Sequence, residues 1–486
     1  MKYAQTLILC AIVATVALIC WELVRWLFHR PKGGFREWLR NPDYQRAAEK
    51  RIAARKALTI PADLSDEALA EMVERLFVEK DDDFNFERLQ LVGQRGVPLL
   101  IAALDEPRTA TVDWGFSGAH GLAGDSPLER ICNLLEPFAP HEAIGPLARF
   151  AQSPKESFRK AAARALGNIA ATDCSAPLRK LLDDEDDYVR GNAMTGIEGA
   201  IEAKRGDPLF LEAIFPAVVK LLNRSDMGVG GEPPKLLLKI DVEKALPILL
   251  SPEYLTTSNG ELYHLLDALN EGGFKVPQAQ LGPLLSELKK KSIQPDSLGR
   301  DYAAALRVYA RNPDEATEQT LRTELTSPND RIARAACEAL AYLSGIENPL
   351  DAIQERMNES GFAGLTEPQQ NYEAVFLYDA EVRNGGHLQY FANSSGNNWK
   401  SARRGLTAVG AAERARMLEE AIAVFGPGGP PEDREARQAI VARFSKSNDA
   451  AMEALDDRYY AGTENLEKLL SLYAIENKKH FVLSRD

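Results

Sequence analysis

The stretch IGPLARFAQSPKESFRKAAARALGNIA, Ile144 to Ala170, and its successor SAPLRKLLDDEDDYVRGNAMTGIEGA, Ser175 to Ala200, decide how most of this chain folds. Phe158-Arg159 and Val189-Arg190 fall 31 residues apart, and Pro146-Leu147 and Pro177-Leu178 share that spacing. Apolar residues recur at three and four, the period of a helix with one buried face. TLRTELTSPNDRIARAACEALAYLSG, Thr320 to Gly345, is a further copy in which Ile332, Ala336, Ala339 and Leu340 stand where Phe158, Ala162, Ala165 and Leu166 stand in the first. One helical pair cannot bury its apolar face alone, so a repeat of this length implies stacked pairs in a solenoid.

Early proline in the first helix, an acidic or Ser-Pro turn, a hydrophobic-Arg pair and an Ala-rich second helix together resemble HEAT repeats of the phycobilisome-lyase type. Small alanines would let the second helices approach, with Leu166 and Ile169 filling the seam. GVPLLIAALDEP (Gly96 to Pro107), FPAVVKLLNRSD (Phe215 to Asp226) and ALPILLSPEY (Ala245 to Tyr254) look like first helices of degenerate copies. MGVGGEPP after Asp226 reads as a loop, and Thr111 to Gly124 as an insertion without helical pattern. The resemblance implies a protein-binding surface. Some relatives are iron-binding hydroxylases with several His-Glu pairs; here only His141-Glu142 occurs, which reads as a turn or surface residue rather than a ligand. The run Asp183 to Asp187 lacks the alternating ligands and central glycine of a calcium loop and reads as a solvated inter-helix turn.

Outward from the repeats, charge divides the 486-residue chain. Residues 1–59 hold eleven basic and four acidic residues, residues 361–486 hold fifteen and eighteen, and the total of −13 leaves −17 on the middle. At the N-terminus TLILCAIVATVALICW, Thr6 to Trp21, has no charge and no helix breaker. With Gln5 and Glu22 at the interfaces it reaches the roughly 20 residues a membrane span requires. No small-x-small cleavage site follows, so the sequence favours an uncleaved anchor over a signal peptide. Arg25, Arg30, Lys32, Arg36 and Arg40 on its C-terminal side predict that this side is cytoplasmic. Tyr44 to Leu58 is a basic helical stretch, either a solvated helix or one resting on anionic headgroups. Cys10 and Cys20 fall in the anchor; Cys132, Cys174 and Cys337 show no spacing typical of a disulfide framework or a zinc site.

The C-terminal region has helical patterns at Pro368 to Arg383, Lys400 to Val409, Ala411 to Phe425, Pro431 to Phe444 and Asn465 to Lys479. Within it lies EVRNGGHLQYFANSSG, Glu381 to Gly396. Asn384, Gly385 and Gly386 can end a helix because they tolerate left-handed angles. Tyr390 and Phe391 would supply core, Gln389 and Asn393 would bond the freed backbone groups, and Ser394, Ser395 and Gly396 would turn the chain or cap the next helix. These residues resemble the signature of a bacterial family named after a DNA-mimic protein, over about Leu365 to Phe481, with LTAVGA (Leu406 to Ala411) and ENLEKLLSLY (Glu464 to Tyr473) also fitting. Arg383 and His387 depart from the family pattern; His387 replaces an aromatic and reads as its packed or surface substitute. The corner Asn384–Gly396 is therefore a fold-defining turn, a recognition cleft or, with no nucleophile, paired base or ligand cluster, least of all a catalytic site.

The fold class expected is all-α: an N-terminal transmembrane helix (1–29), a basic juxtamembrane linker (30–60), a HEAT-like α-solenoid (61–350) and a separate C-terminal α-helical domain (361–486). The function expected is a membrane-anchored, non-enzymatic interaction scaffold on the cytoplasmic side, with protein partners, anionic lipid at the stalk, no direct nucleic-acid binding and no cofactor or metal. Two other readings stand beside it: a regulator whose C-terminal domain mimics DNA and sequesters a DNA-binding protein, and an unrecognised enzyme.

Overall fold

The computed structural model describes residues 50, 53–61, 63–79, 84–114, 126–222, 232–257, 262–292 and 299–483. The anchor, most of the basic linker, most of the MGVGGEPP segment and residues 115–124 of the expected insertion lie outside the described residues. Among those described, every regular element is a helix, and none is long and apolar enough to cross a membrane.

The chain divides into two compact units, with the described residues up to Ala268 in the first and those from Leu269 onward in the second. The first unit runs α1 (Asp66–Glu74), α2 (Asn85–Val92), α3 (Val97–Leu104), α4 (Pro107–Thr111), α5 (Pro127–Leu135), α6 (Ile144–Phe150), α7 (Glu156–Ile169), α8 (Ser175–Leu181), α9 (Asp187–Glu202), α10 (Pro208–Leu221), α11 (Pro233–Ile240) and α12 (Val242–Leu249), and ends inside α13 (Leu262–Glu271). The two quoted repeats are α6/α7 and α8/α9. Leu166 is fully buried and Ile169 nearly so, as the helical phase predicts, while Arg164 on the opposite side is exposed and pairs with Glu136 at 3.3 Å.

Alanine alone does not set the approach of α7 to α9. At their crossing, a Cβ on Gly167 would lie 2.8 Å from the Ala193 carbonyl, and one on Gly196 would collide with the Arg164 carbonyl. Backbone therefore touches backbone, and only glycine fits. The Asp183–Asp187 turn has structural partners. The Asp184 carboxylate takes both Nε and Nη2 of Arg159, at 2.8 and 3.0 Å. Arg190 donates to the Asp184 and Glu185 carbonyls, and the Asp186 side chain caps α9. His141 is exposed in a single 3-10 turn. Cys132, Cys174 and Cys337 are free thiols, and burial pushes Cys174 and Cys337 up to about 11 and about 12.

The second unit continues with α14 (Gln278–Ser292), α15 (Arg300–Arg311), α16 (Thr317–Glu324), α17 (Asp330–Leu343), α18 (Pro349–Ser360), α19 (Glu367–Ala392), α20 (Trp399–Ala408), α21 (Ala412–Ala423), α22 (Arg434–Val441), α23 (Lys446–Ala461) and α24 (Leu466–Glu476). The third repeat copy is α16/α17. It is joined to the C-terminal helices by a shared core that runs from Ala341, Ile346 and Ile353 to Tyr372, Leu470 and Phe481. Arg334 of α17 also pairs with Glu467 of α24 at 2.6 Å. A solenoid's last repeat has an apolar face with no successor, and in this unit the C-terminal helices cover it.

Candidate functional site

The corner Asn384–Gly396 sits on α19, which does not end at Asn384. It breaks and restarts. Asn384 stays helical, Gly385 and Gly386 leave the helix, and Gly386 has φ +81°. A side chain at Gly386 would both strain that angle and strike the Asp456 carboxylate. The break leaves orphan carbonyls on one side and an orphan amide on the other. Both are taken by α23. Tyr460 donates its hydroxyl to the Val382 carbonyl at 2.8 Å, and Asp456, one turn earlier, accepts the His387 amide at 2.8 Å.

His387 is fully buried, a packed replacement for an aromatic rather than a surface one. Asp456 also accepts from its Nδ1 at 2.6 Å, and its Nε2 lies 2.9 Å from the Tyr378 hydroxyl. Burial pushes the Tyr378 phenol well above its ordinary range, so the hydroxyl keeps its proton. Tyr459, raised by burial in the same way, donates to Asp379 at 2.6 Å, and Arg383 closes on that carboxylate at 2.8 Å.

Gln389 and Asn393 do not bond the freed backbone, contrary to the sequence expectation. Their amides donate to Glu381 Oε2 at 2.7 and 2.9 Å, and the Ser395 hydroxyl donates to Oε1 at 2.7 Å. The first residue of the quoted motif is thus the hub that gathers its polar side chains. Tyr390 and Phe391 are fully buried core, as expected. Ser394 is exposed at the start of a 3-10 turn through Asn398. At Gly396 a Cβ would lie 2.6 Å from the Tyr390 carbonyl and 3.1 Å from Arg437.

Arg437, fully buried on α22, fastens the end of α19. Its Nε donates to the Phe391 carbonyl at 2.7 Å, its Nη1 to the Pro431 and Glu432 carbonyls, and its Nη2 to the Asn393 carbonyl and the Asn397 side chain. All five N–H groups have acceptors, none of them a carboxylate. Burial lowers this guanidinium's pKa, and the ring of carbonyl dipoles is what keeps the cation there. Arg434 and Gln438 take the intervening Ala392 carbonyl. Apart from the Tyr390 hydroxyl, which is buried without a hydrogen-bond partner, the motif's inward-facing polar groups are committed to one another or to α22 and α23, leaving Arg383, Asn384, Gly385 and Ser394 as its exposed members.

A second candidate lies in the first unit, where α2, α5, α7 and α9 line a groove of about 680 Å³. Glu129, Asn133 and Glu136 project from the α5 side, and Ser157, Lys160 and Arg164 from α7. Arg55 and Glu87 pair across one end at 3.2 Å. At the other, Lys160 lies 5.3 Å from the centre of the Tyr188 ring, which is 45% exposed.

Residues 363–477 match the family model of DMP19-like proteins. Residues 128–198, which span α5 and most of the first two quoted repeats, match HEAT repeats. No curated protein matches the chain. The corner is thus the central turn of a DMP19-like domain, and the groove is floored by the HEAT repeats. Other residues of the domain's motifs now have evident work. Gly410, at φ +81°, closes α20 with Ala411 N bonding back to the Leu406 carbonyl at 2.9 Å. Glu464 caps α21 by accepting the Glu413 and Arg414 amides, each at 2.8 Å. Sequence reasoning missed α23, which carries Asp456, Tyr459 and Tyr460. Its signals were present: Ser445 with Asn448 as a capping box, and Met452, Leu455 and Tyr459 at helical spacing.

Proposed function

We propose that the protein is a non-enzymatic interaction scaffold, tethered to a membrane by residues 1–29, whose HEAT region binds partner proteins on the cytoplasmic side. The observation that carries the reading is the groove over the second helices of the matched repeats, a concave, polar and partly aromatic surface open to solvent. The corner of the DMP19-like domain supports the reading indirectly. Its Glu381 and His387 side chains are turned inward, so it acts as a rigid fastening, and the domain serves as the terminal cover of the last repeat.

The DNA-mimic alternative finds little support in the charge layout. A duplex presents one negative charge per about 1.7 Å of axis. In this domain Glu367, Glu419, Glu420 and Glu432 are matched by Arg404, Arg403, Arg458 and Lys400. Such pairing cancels the field a DNA-binding protein would read.

The test is affinity capture by the full-length chain from detergent extracts, with and without substitutions in the groove. Specific protein partners lost with the groove substitutions support the scaffold. A transcription factor captured, released steeply by salt and displaced by duplex DNA, would replace it with the mimic. Topology is checked by reporters fused after Asp486, where activity only from the external reporter overturns the cytoplasmic placement.

A further inference from the structure

We propose that Glu373 and Phe376 on α19 form a receptor for an arginine side chain presented by an apolar segment of a partner protein. The inference goes beyond the scaffold reading: it concerns the second unit and needs neither the HEAT groove nor the tether.

An occupied copy of the same pair displays what it holds. In the first unit Glu74 ends α1, and Phe77 follows three residues on, in a 3-10 turn. Arg108 donates Nη1 and Nη2 to the two Glu74 oxygens at 2.6 and 2.8 Å, and its guanidinium carbon stands 4.3 Å from the centre of the Phe77 ring. Glu106 accepts its Nε at 3.0 Å. One planar cation thus meets a carboxylate with its edge and an aromatic ring with its face. Helical residues three apart have Cβ atoms about 5–6 Å from each other, a span that one guanidinium covers.

Glu373 and Phe376 are the same two residue types at the same spacing, on the part of α19 before its break, and here the arginine is missing. Glu373 is half-buried and Phe376 is 38% exposed. Among the described residues Glu373 has no hydrogen-bonded or ionic partner, and no cation stands over the Phe376 ring. The two carboxylates differ accordingly. The hydrogen bonds from Arg108 hold Glu74 below the ordinary glutamate range, whereas burial alone pushes Glu373 above it. A carboxylate that has already given up part of its water in the free protein has less hydration left to lose when a cation docks. Leu377, half-buried, and Ala380, exposed, continue the face at helical spacing, so the incoming cation is carried on an apolar segment. Arginine suits the pair better than lysine, because only its planar fork both pairs with carboxylate and stacks on a ring.

The experiment is fluorine NMR on the full-length chain in non-ionic detergent, with Phe376 replaced by 4-fluorophenylalanine, at about 150 mM salt so that only close charges act. The probes are the capped tripeptide Leu-Arg-Leu and its neutral counterpart with citrulline in place of arginine. The expected result is a saturable shift of the resonance by the arginine peptide, with the citrulline peptide binding about fivefold more weakly or less. Glu373→Gln keeps the shape of the site and lowers the arginine peptide to the citrulline level. Glu355→Gln removes an exposed carboxylate of α18 that has no aromatic ring three residues on, and leaves binding unchanged. A second label at Phe77 reports no shift while Arg108 fills that pair, and a shift by the arginine peptide once Arg108→Gln empties it. Equal shifts by the two peptides, or binding that survives Glu373→Gln, would overturn the proposal, since the face would then be merely apolar. Equal weakening by Glu355→Gln would overturn it in favour of a general acidic field, and so would the absence of any shift at Phe376. A resonance that moves as the protein is concentrated without peptide would make the occupant a second copy of the chain and overturn a partner segment. Each outcome leaves the HEAT groove reading untouched, and melting temperatures confirm that every variant is folded.

Discussion

The crossing of α7 and α9 and the break in α19 are both places where two pieces of backbone must come close, and they are built in opposite ways. At the crossing, Gly167 and Gly196 remove side chains so that two unbroken helices touch, and apolar neighbours such as Leu166 and Ile197 seal the seam. At the break, one helix is opened and its freed groups are met by Asp456 and Tyr460 brought from α23, while α22 fastens the helix end beyond. The first device needs only small residues at the right phase and can be repeated along a chain. The second depends on individual partners far apart in sequence.

The sharpest test of the first device is Leu166→Asp. It places a carboxylate in a fully buried seam with nothing to pair it, and the expected loss is several kcal/mol, about 4 or more. Arg164→Asp, two residues earlier on the exposed side, should cost under about 1 kcal/mol. Denaturant titrations of the two variants decide it, and equal losses would mean that the helical phase of α7 is misassigned.

Next in size is Arg437→Met, which keeps a long apolar stem but removes five donors from buried acceptors. The expected loss is about 3–5 kcal/mol. Arg437→Lys should recover little of it, since one ammonium cannot reach acceptors arranged around a planar fork. Hydrogen exchange sharpens the comparison. The end of α19 near Phe391 should lose protection while α7 and α9 keep theirs. A loss spread evenly over both units would show that the corner is not a local fastening.

A smaller effect separates the two stitches across the break. Tyr460→Phe leaves the Val382 carbonyl to water at an exposed ring and should cost about 1 kcal/mol or less. Asp456→Asn keeps an acceptor of the same size for the His387 amide and loses only its charge, so about 1–2 kcal/mol is expected. Because both act on one break, the double variant should lose less than the sum of the two. Strict additivity would mean that the two ends of the break open independently.

The contrast also explains what could be read from the sequence. Repeat devices leave a period, so α6 to α9 and α16/α17 were legible from proline, Arg and alanine at fixed spacing, as were the buried Leu166, Ile169, Ile332 and Leu340. Gly196 was not singled out, because a glycine in a helix reads as a defect until its neighbour's carbonyl is seen. In the corner the residue types were legible but the partners were not. Gln389, Asn393 and Ser395 turn to Glu381, eight to fourteen residues back, which no local rule couples to them. Asp456 and Arg437 lie further still, and α23 was passed over because its apolar face is narrow. Long-range polar pairing has no sequence period, so motifs of this kind are found by resemblance and explained only by coordinates.

Glu373 on α19 offers the mildest test, and it concerns a charge that belongs to neither device. Among the described residues it has no hydrogen-bonded or ionic partner, and burial alone raises its pKa above the ordinary glutamate value of 4.5. The sign follows from proton linkage. The folded state holds this proton more tightly than the unfolded state, so stability falls as pH rises from the unfolded value through the raised folded one. Below about pH 4 the carboxyl is protonated in both states and costs nothing; at pH 7 the folded state carries an under-solvated charge. Glu373→Gln removes the charge at nearly constant volume. It should raise the melting temperature at pH 7 and leave it unchanged near pH 4, the reverse of what loss of a paired carboxylate would do. If the variant instead melts lower at pH 7, Glu373 has a cationic partner in solution, and its face of α19 would belong with the charge-fastened corner.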